Sequence, residues 1–268
     1  MRSKVQRGQD FGRRVMAVIE YDGTDYLGFQ LQAEGRTVQG EVERALAKIT
    51  RRETRVISAG RTDAGVHAIG QVISFVPQWK HSLPELHRAM NALLPEDVAV
   101  HQMAWVADDF HPRFDAVSRE YRYTVLNQSL RSPLARRFAY HYLKPLDVEA
   151  MDRAASCLVG SHDFASFGRP PQGESTVRQV HRAECTRQDQ FIYFDIVANA
   201  FLYRMVRNIV GALLLVGVGE LSPKGFEEIL QARDRRRASP PVPAHGLCLI
   251  RVNYEQALSS VSGWAMLV

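Results

Sequence analysis

The chain has 268 residues, of which 46% are hydrophobic and 24% are charged, and 34 Lys and Arg against 29 Asp and Glu give it a net charge of +5. This composition excludes a disordered or fibrous chain, and the length is sufficient for a core without disulfides. The three cysteines are far apart and form no CxxC pair, which excludes a disulfide framework and a thiolate zinc site. We therefore expect a soluble protein of the reducing cytoplasm, without a membrane span.

The basic excess is concentrated at the N-terminus. Residues 1–14 hold five basic side chains and one acidic side chain, which leaves 29 basic and 28 acidic side chains in the other 254 residues. We predict a flexible basic tail over 1–14 and a second tail over 259–268. Because the rest of the chain is almost neutral, a polyanionic partner can be inferred only from where individual charges lie.

Residues 15–112 predict a first α/β unit with the order strand, helix, strand, strand, helix, strand. Short apolar or alternating runs bounded by turn residues predict strands at 15–21, 54–58, 71–76 and 98–106. Thr37 can cap a helix over 38–49, where apolar residues recur at helical spacing. Ser82 can cap a second helix that ends before Pro95.

Residues 113–258 predict a second unit of similar plan. The same patterns predict strands at 121–126, 138–142, 179–186, 190–197 and 247–252, and helices at 147–158, 201–216 and 223–230. We therefore expect an α/β fold of the α+β type, in which two similar split-βαβ units of the RRM or ferredoxin-like kind share a mixed, mainly antiparallel sheet.

Common cofactor and metal motifs are absent from the sequence. There is no GxxxxGK[ST] phosphate loop, no HExxH zinc motif and no GxSxG elbow, and the only close glycine pair, Gly217 and Gly219, lies at a predicted helix end. We predict no metal site and no nucleotide cofactor.

The segment best suited to chemistry is residues 60–67, which read Gly-Arg-Thr-Asp-Ala-Gly-Val-His and lie between two predicted strands. Glycines on both sides of Asp63 allow another chain to approach the backbone closely. A carboxylate beside Arg61 stays ionised and can act as a nucleophile. From these residues alone, an Asx-type turn in which Asp63 caps the backbone is the simpler interpretation.

This segment is very similar to the signature of the tRNA pseudouridine synthase A family. Further matching segments follow in the order of that family, and they lie at 20–24, 28–30, 109–114, 119–123, 205–211 and 246–247. The resemblance covers residues 15 to 253, and the N-terminal tail lies outside it. It implies the pseudouridine synthase fold, a homodimer, and an isomerase that converts uridine to pseudouridine at positions 38–40 in the anticodon stem-loop of tRNA without a cofactor.

The resemblance also implies roles for individual residues. Asp63 would be the nucleophile, attacking either C1′ of the ribose or C6 of the base, with a pKa near its ordinary value. Arg61 would hold the target base out of the stem, since a stacked base must be extruded before it can react. Tyr121 would stack on the uracil or transfer a proton, with Leu247 beside it in the substrate site, although a half-buried strand residue is the alternative for Tyr121. Arg207 would pair with Asp63.

The position of Arg207 gives that pairing some independent support. Apolar residues surround it on the predicted helix, and a charged residue in such a helix lies either at the solvent edge or in a pair. For RNA contact, the resemblance implies the segment formed by Phe110, His111, Pro112, Arg113 and Phe114. It also implies a second RNA-contacting loop at 169–176, without individual contacts.

Two other functions are compatible with the pattern. One is a noncatalytic RNA-binding protein of the split-βαβ type, although such modules stack bases on an RNP-like aromatic run that this sequence lacks. The other is a hydrolase that uses Asp63 together with Asp108 or Asp109, because glycoside hydrolysis needs two carboxyl groups facing one bond.

Overall fold

The computed structural model describes residues 12–170 and 173–255. Residues 1–11 of the predicted basic tail, and all of the predicted tail over 259–268, lie outside them. In this part of the chain the strands are β1 (Val15–Tyr21), β2 (Ile57–Ser58), β3 (His67–Phe75), β4 (Val98–Trp105), β5 (Ala116–Asn127), β6 (Tyr140–Tyr142), β7 (Gly160–Asp163), β8 (Val177–Gln188), β9 (Phe191–Ala198) and β10 (Leu247–Tyr254). The α-helices are α1 (Val38–Thr50), α2 (Leu83–Leu93), α3 (Val148–Ser156), α4 (Met205–Gly217) and α5 (Pro223–Ala232).

One continuous sheet runs through the protein, in the order β4-β1-β3-β10-β5-β9-β8-β7, with β2 added to β3 and β6 added to β5. Its pairs are antiparallel except for β3 with β10 and β5 with β6. The prediction of an α/β fold with a mixed, mainly antiparallel sheet is confirmed. The contact between β3 and β10 joins the strands of the first predicted unit to those of the second.

The parallel pairing of β3 with β10 determines where the site forms. Because parallel strands begin at the same edge of a sheet, His67 at the start of β3 pairs with Cys248, next to the start of β10. On the other side of β10, Tyr121 of β5 lies opposite Leu249. The loop that precedes β3, the first residue of β10 and the middle of β5 therefore meet at one place.

Helices α1 and α2 begin where the sequence predicts. The Thr37 hydroxyl accepts a hydrogen bond from the Gly40 N–H, and Ser82 forms a capping box with Glu85. Helix α4 is buried on almost every side, because it packs against α3, α5 and β5. Among the described residues, no helix has the length and apolar character that crossing a bilayer would require.

Several elements differ from the prediction, and the clearest differences are in α4, β2, β3 and β7. Helix α4 begins at Met205 instead of 201, since Tyr203 forms an isolated β-bridge in which its N–H donates to the Arg169 carbonyl at 2.8 Å, and Arg204 has a left-handed φ of +60°. Strand β2 has two residues instead of five, and β3 begins four residues early, where it pairs with β10. Strand β7 was not predicted, because Gly-Ser-His-Asp lacks apolar alternation and gains its structure from pairing with β8.

Candidate active site

The loop that carries Asp63 lies between β2 and β3 and is held from one side by its neighbours. The Phe29 N–H donates to the Thr62 carbonyl at 3.1 Å, and the Gln71 amide donates to the Gly60 carbonyl at 2.8 Å. Gly28 permits this packing, because it has a φ of +97° and a Cβ there would lie 2.7 Å from the Thr62 oxygen. These hydrogen bonds fix the backbone of the loop, and the Asp63 side chain lines a cleft.

Asp63 is paired with an arginine from the other half of the chain. Nη1 of Arg207, in the first turn of α4, lies 3.4 Å from Oδ2 of Asp63, and Nε of Arg207 donates to the Val242 carbonyl at 2.7 Å. The Arg207 side chain is only 13% exposed. Among the described residues no backbone N–H donates to the Asp63 carboxylate, so the Asx turn considered from the sequence does not form there.

The pKa of Asp63 differs from the ordinary value that we expect from the sequence. Burial raises the pKa of Asp63 above its usual value of 3.8, and the positive charges of Arg207 and then Arg204 oppose that rise. The site therefore penalises the charged carboxylate, and Arg207 is the main group that stabilises it.

Tyr121 and Leu247 form an apolar wall beside the carboxylate. Tyr121 is 9% exposed and its ring meets that of Phe201 edge to face, with centroids 4.9 Å apart. Burial raises the pKa of Tyr121, so its phenol stays protonated at neutral pH and can donate a proton but not accept one as a phenolate. The sequence gives no sign that Phe201 belongs to the site, because its pattern predicts a helix from residue 201, whereas α4 begins at Met205.

Asp63 lies in a cleft of about 1630 Å³ with a strongly basic lining. Within the described residues, Asp63 is the one carboxylate on that lining. The same lining holds eight arginines, namely Arg55, Arg61, Arg113, Arg119, Arg169, Arg178, Arg204 and Arg207. Although residues 15–268 are almost neutral as a whole, the lining of this cleft is strongly positive. Asp108 and Asp109 do not line the cleft, so the second carboxyl that the hydrolase interpretation needs is missing from this surface.

Arg61 lies on this lining, two residues before Asp63, and takes no part in the ion pair. It is exposed, and in the described part of the chain no carboxylate lies within ion-pair distance of it. The guanidinium is thus available to a bound ligand, whereas Arg207 is already engaged.

Residues 110–114, the segment predicted to contact RNA, include buried residues and residues that line the cleft. Phe110 is 5% exposed and packs on the ring of Tyr254, whose hydroxyl donates to the carbonyl of the buried Pro112 at 2.7 Å. Phe114 is 72% exposed and lines the cleft together with His111 and Arg113. RNA contact thus stays a prediction for these last three, while Phe110 and Pro112 fix the segment to the core.

A basic cleft with one paired aspartate on a mixed sheet is compatible with an enzyme acting on a polyanion, and the comparisons specify the class. The family model described as tRNA pseudouridine synthase matches residues 17–115 and 154–255. The chain belongs to the tRNA pseudouridine synthase family, which is a family of isomerases.

Similar proteins match most of the chain in sequence and carry one name, tRNA pseudouridine synthase A. The protein from Roseiflexus castenholzii is 47% identical over 249 residues, which cover 91% of this chain and 92% of that one. The protein from Moorella thermoacetica is 46% identical over 241 residues, covering 88% and 97%. The protein from Shewanella sediminis is 43% identical over 244 residues, covering 91% and 94%. The resemblance inferred from the sequence motifs is confirmed.

Proposed function

We propose that this protein converts uridine to pseudouridine at positions 38–40 in the anticodon stem-loop of tRNA, with Asp63 as the nucleophile and without a cofactor. One observation carries the proposal: a half-buried carboxylate lies in a cleft whose described lining otherwise carries eight arginines. The arginines suit a phosphate backbone, and the single aspartate suits attack on a nucleoside.

The proposed reaction is balanced within the substrate. The N1–C1′ bond breaks, the uracil turns, C5 bonds to C1′, the C5 proton passes to water, and N1 gains a proton from a donor in the cleft that water reprotonates. No electrons are gained or lost, so a nucleophile and proton carriers suffice. Asp63 bonds transiently to C1′ or to C6, and the protonated phenol of Tyr121 lies on the same cleft wall as a candidate proton donor.

The target base has to leave the stem before Asp63 can reach it. Arg61 is two residues from Asp63, exposed and without a carboxylate partner among the described residues, which suits a side chain that enters the stem and keeps the base extruded. Tyr121 and Leu247 are both buried in the lining of the cleft, where they offer an apolar surface to the extruded uracil.

The lining of the cleft supplies the RNA contacts in this proposal. His111, Arg113 and Phe114 line it, and so do Arg169 and Arg178. Stacking of a base on Phe114 is worth about 1–3 kcal/mol, and each arginine that meets a phosphate adds a salt-dependent contribution. A protein that only binds RNA has no use for the Asp63–Arg207 pair, which makes the noncatalytic alternative less favourable.

A homodimer in the cytoplasm is part of the proposal. Four large apolar side chains, Leu130, Leu134, Phe138 and Leu143, are more than half exposed on one segment of the chain. A second copy that covers this surface would remove it from water.

The test uses the whole protein and an unmodified tRNA transcript. Wild type is expected to form pseudouridine, and Asp63→Asn is expected to bind the transcript and form none. Transcripts in which U38, U39 and U40 are replaced one at a time by cytidine locate the reaction. Pseudouridine made by Asp63→Asn, formation outside these positions, or release of free uracil by wild type would contradict the proposal.

A further inference from the structure

Arg119 is an arginine that is buried near the start of β5. It is the fourth residue of β5 and only 8% exposed, and within the described residues no carboxylate lies at ion-pair distance from its guanidinium. Burial lowers its pKa, which means that the surroundings disfavour the charge they enclose. A charge kept under these conditions has to be stabilised by hydrogen bonds.

Those hydrogen bonds join separate segments of the cleft. Nη2 of Arg119 donates to the Ala59 carbonyl at 3.0 Å and also to the Arg113 carbonyl. Nη1 donates to the Asn199 carbonyl at 2.7 Å and to the Ala116 carbonyl at 3.3 Å. Each terminal nitrogen therefore connects two parts of the chain that are distant in sequence.

Three of the four acceptors belong to segments that build the proposed site. Ala59 leads into the loop of Asp63, Arg113 lies in the segment proposed to contact RNA, and Asn199 comes two residues before Phe201, the ring that packs on Tyr121. The planar fork of a guanidinium can meet four carbonyls at fixed angles, which a lysine ammonium with its three donors cannot do.

We infer that Arg119 is a positioning residue for the proposed reaction. It fixes the RNA segment, the Asp63 loop and the segment between Asn199 and Phe201 relative to one another, so that a tRNA seated on Arg113 presents its extruded uridine at Asp63. The inference rests on the proposed function, and Arg119 acts through the backbone of these segments instead of touching the reacting atoms.

The first test separates rate from binding. With tRNA saturating and the proteins well below their unfolding temperatures, Arg119→Met is expected to lower the single-turnover rate about 100-fold, the effect of a displacement of roughly 1 Å at a reacting centre. Its Kd for tRNA is expected to change less than tenfold. Arg119→Lys keeps the charge but not the fork, so we expect it to recover only a small part of the rate.

Arg122 provides the matched control, because it lies three residues further along the same strand and does not line the cleft. Its Nε and Nη2 donate to the two carboxylate oxygens of Asp195 at 2.8 and 3.0 Å. Arg122→Met is expected to lower the unfolding temperature and to leave the rate per folded molecule unchanged.

Hydrogen exchange tests the same inference without activity. In Arg119→Met, peptides that cover 59–66, 110–116 and 199–204 are expected to exchange faster together, and in Arg122→Met they are not. If Arg119→Met is too unstable, the same peptides are compared in Arg119→Lys.

The inference is overturned if an active wild type loses no rate on substitution of Arg119, if the loss equals the unfolded fraction, or if the three segments exchange as before. A wild type that forms no pseudouridine instead refutes the proposed function, and the role of Arg119 in that reaction fails with it.

Discussion

Nη1 of Arg207 lies 3.4 Å from Oδ2 of Asp63, across 144 positions of the sequence. The arginine cannot move freely towards the carboxylate, since its Nε is engaged by the Val242 carbonyl at 2.7 Å. The pair therefore combines a fixed cation with a carboxylate that burial makes less favourable in its charged form. Among the described residues this long contact is the one hydrogen bond or ion pair of the Asp63 carboxylate, which leaves the carboxylate available to a substrate.

Removal of Arg207 should shift the pH dependence of the reaction. Asp63 has to be ionised to attack, and Arg207 is the largest influence that lowers its raised pKa. In Arg207→Leu we expect a large loss of single-turnover rate, and the acid limb of what remains should move to higher pH than in wild type. The measurement is the single-turnover rate across roughly pH 4–9. A normal turnover in Arg207→Leu, or an acid limb at the wild-type position, would be incompatible with this role.

Substitution of Asp63 should separate binding from chemistry. Asp63→Asn keeps the shape of the side chain but removes the nucleophile, and the expected loss of rate is at least about 10⁴-fold, as for other enzymes that lose a nucleophile. The Kd for tRNA should stay close to that of wild type, because the other charges of the cleft are unchanged. Asp25→Asn is a suitable control, since Asp25 is exposed and does not line the cleft.

Asp63→Asn should also change how the free energy of unfolding depends on pH. A raised pKa in the folded state means that the protonated form of Asp63 favours folding, so its contribution is complete below the unfolded pKa. That contribution is lost as the pH rises through the folded pKa. The free energy of unfolding of wild type minus that of Asp63→Asn should therefore decrease from low pH upward, as measured by urea denaturation. A difference that increases with pH would reverse the sign argued here.

Two phenylalanines four residues apart should behave oppositely. Phe114 is 72% exposed in the cleft, so Phe114→Ala should weaken tRNA binding by about 1–3 kcal/mol and leave the unfolding temperature unchanged. Phe110 is buried, so Phe110→Ala should reduce the free energy of unfolding by about 3–5 kcal/mol. Calorimetry measures the stability of both variants, and filter binding measures their affinity for tRNA. If Phe114→Ala and Phe110→Ala had the same effects on affinity and on stability, the two residues would not have separate roles.

The two glycines around Asp63 should also differ. Gly60 lines the cleft, and a Cβ added there would meet no heavy atom within 4 Å. Gly60→Ala should therefore leave the free energy of unfolding unchanged or raise it by about 0.4–1 kcal/mol. Turnover of tRNA should fall, because the added methyl group would face the substrate. Gly65 has a φ of +76°, so Gly65→Ala should cost about 1–2 kcal/mol of stability. Chemical denaturation and turnover of the pair test this, and a Gly60→Ala enzyme with wild-type turnover would argue against close approach of RNA there.

The sequence by itself determined the features that depend on neighbours along the chain. The caps at Thr37 and Ser82, the apolar spacing of the helices and the contiguous segment around Asp63 are local, so their prediction required no knowledge of distant residues. The family also followed from these contiguous motifs.

The tertiary structure decided which of those residues face one another. A nearly neutral body has a basic cleft because the fold brings arginines from loops, strands and α4 to one place, and the parallel contact of β3 with β10 joins the two halves of the chain there. Burial likewise separates Phe110 from Phe114, and four carbonyls that converge from three segments give Arg119 its position. Local pattern does not contain these relationships, because burial, desolvation and charge density arise from residues that are far apart in the chain.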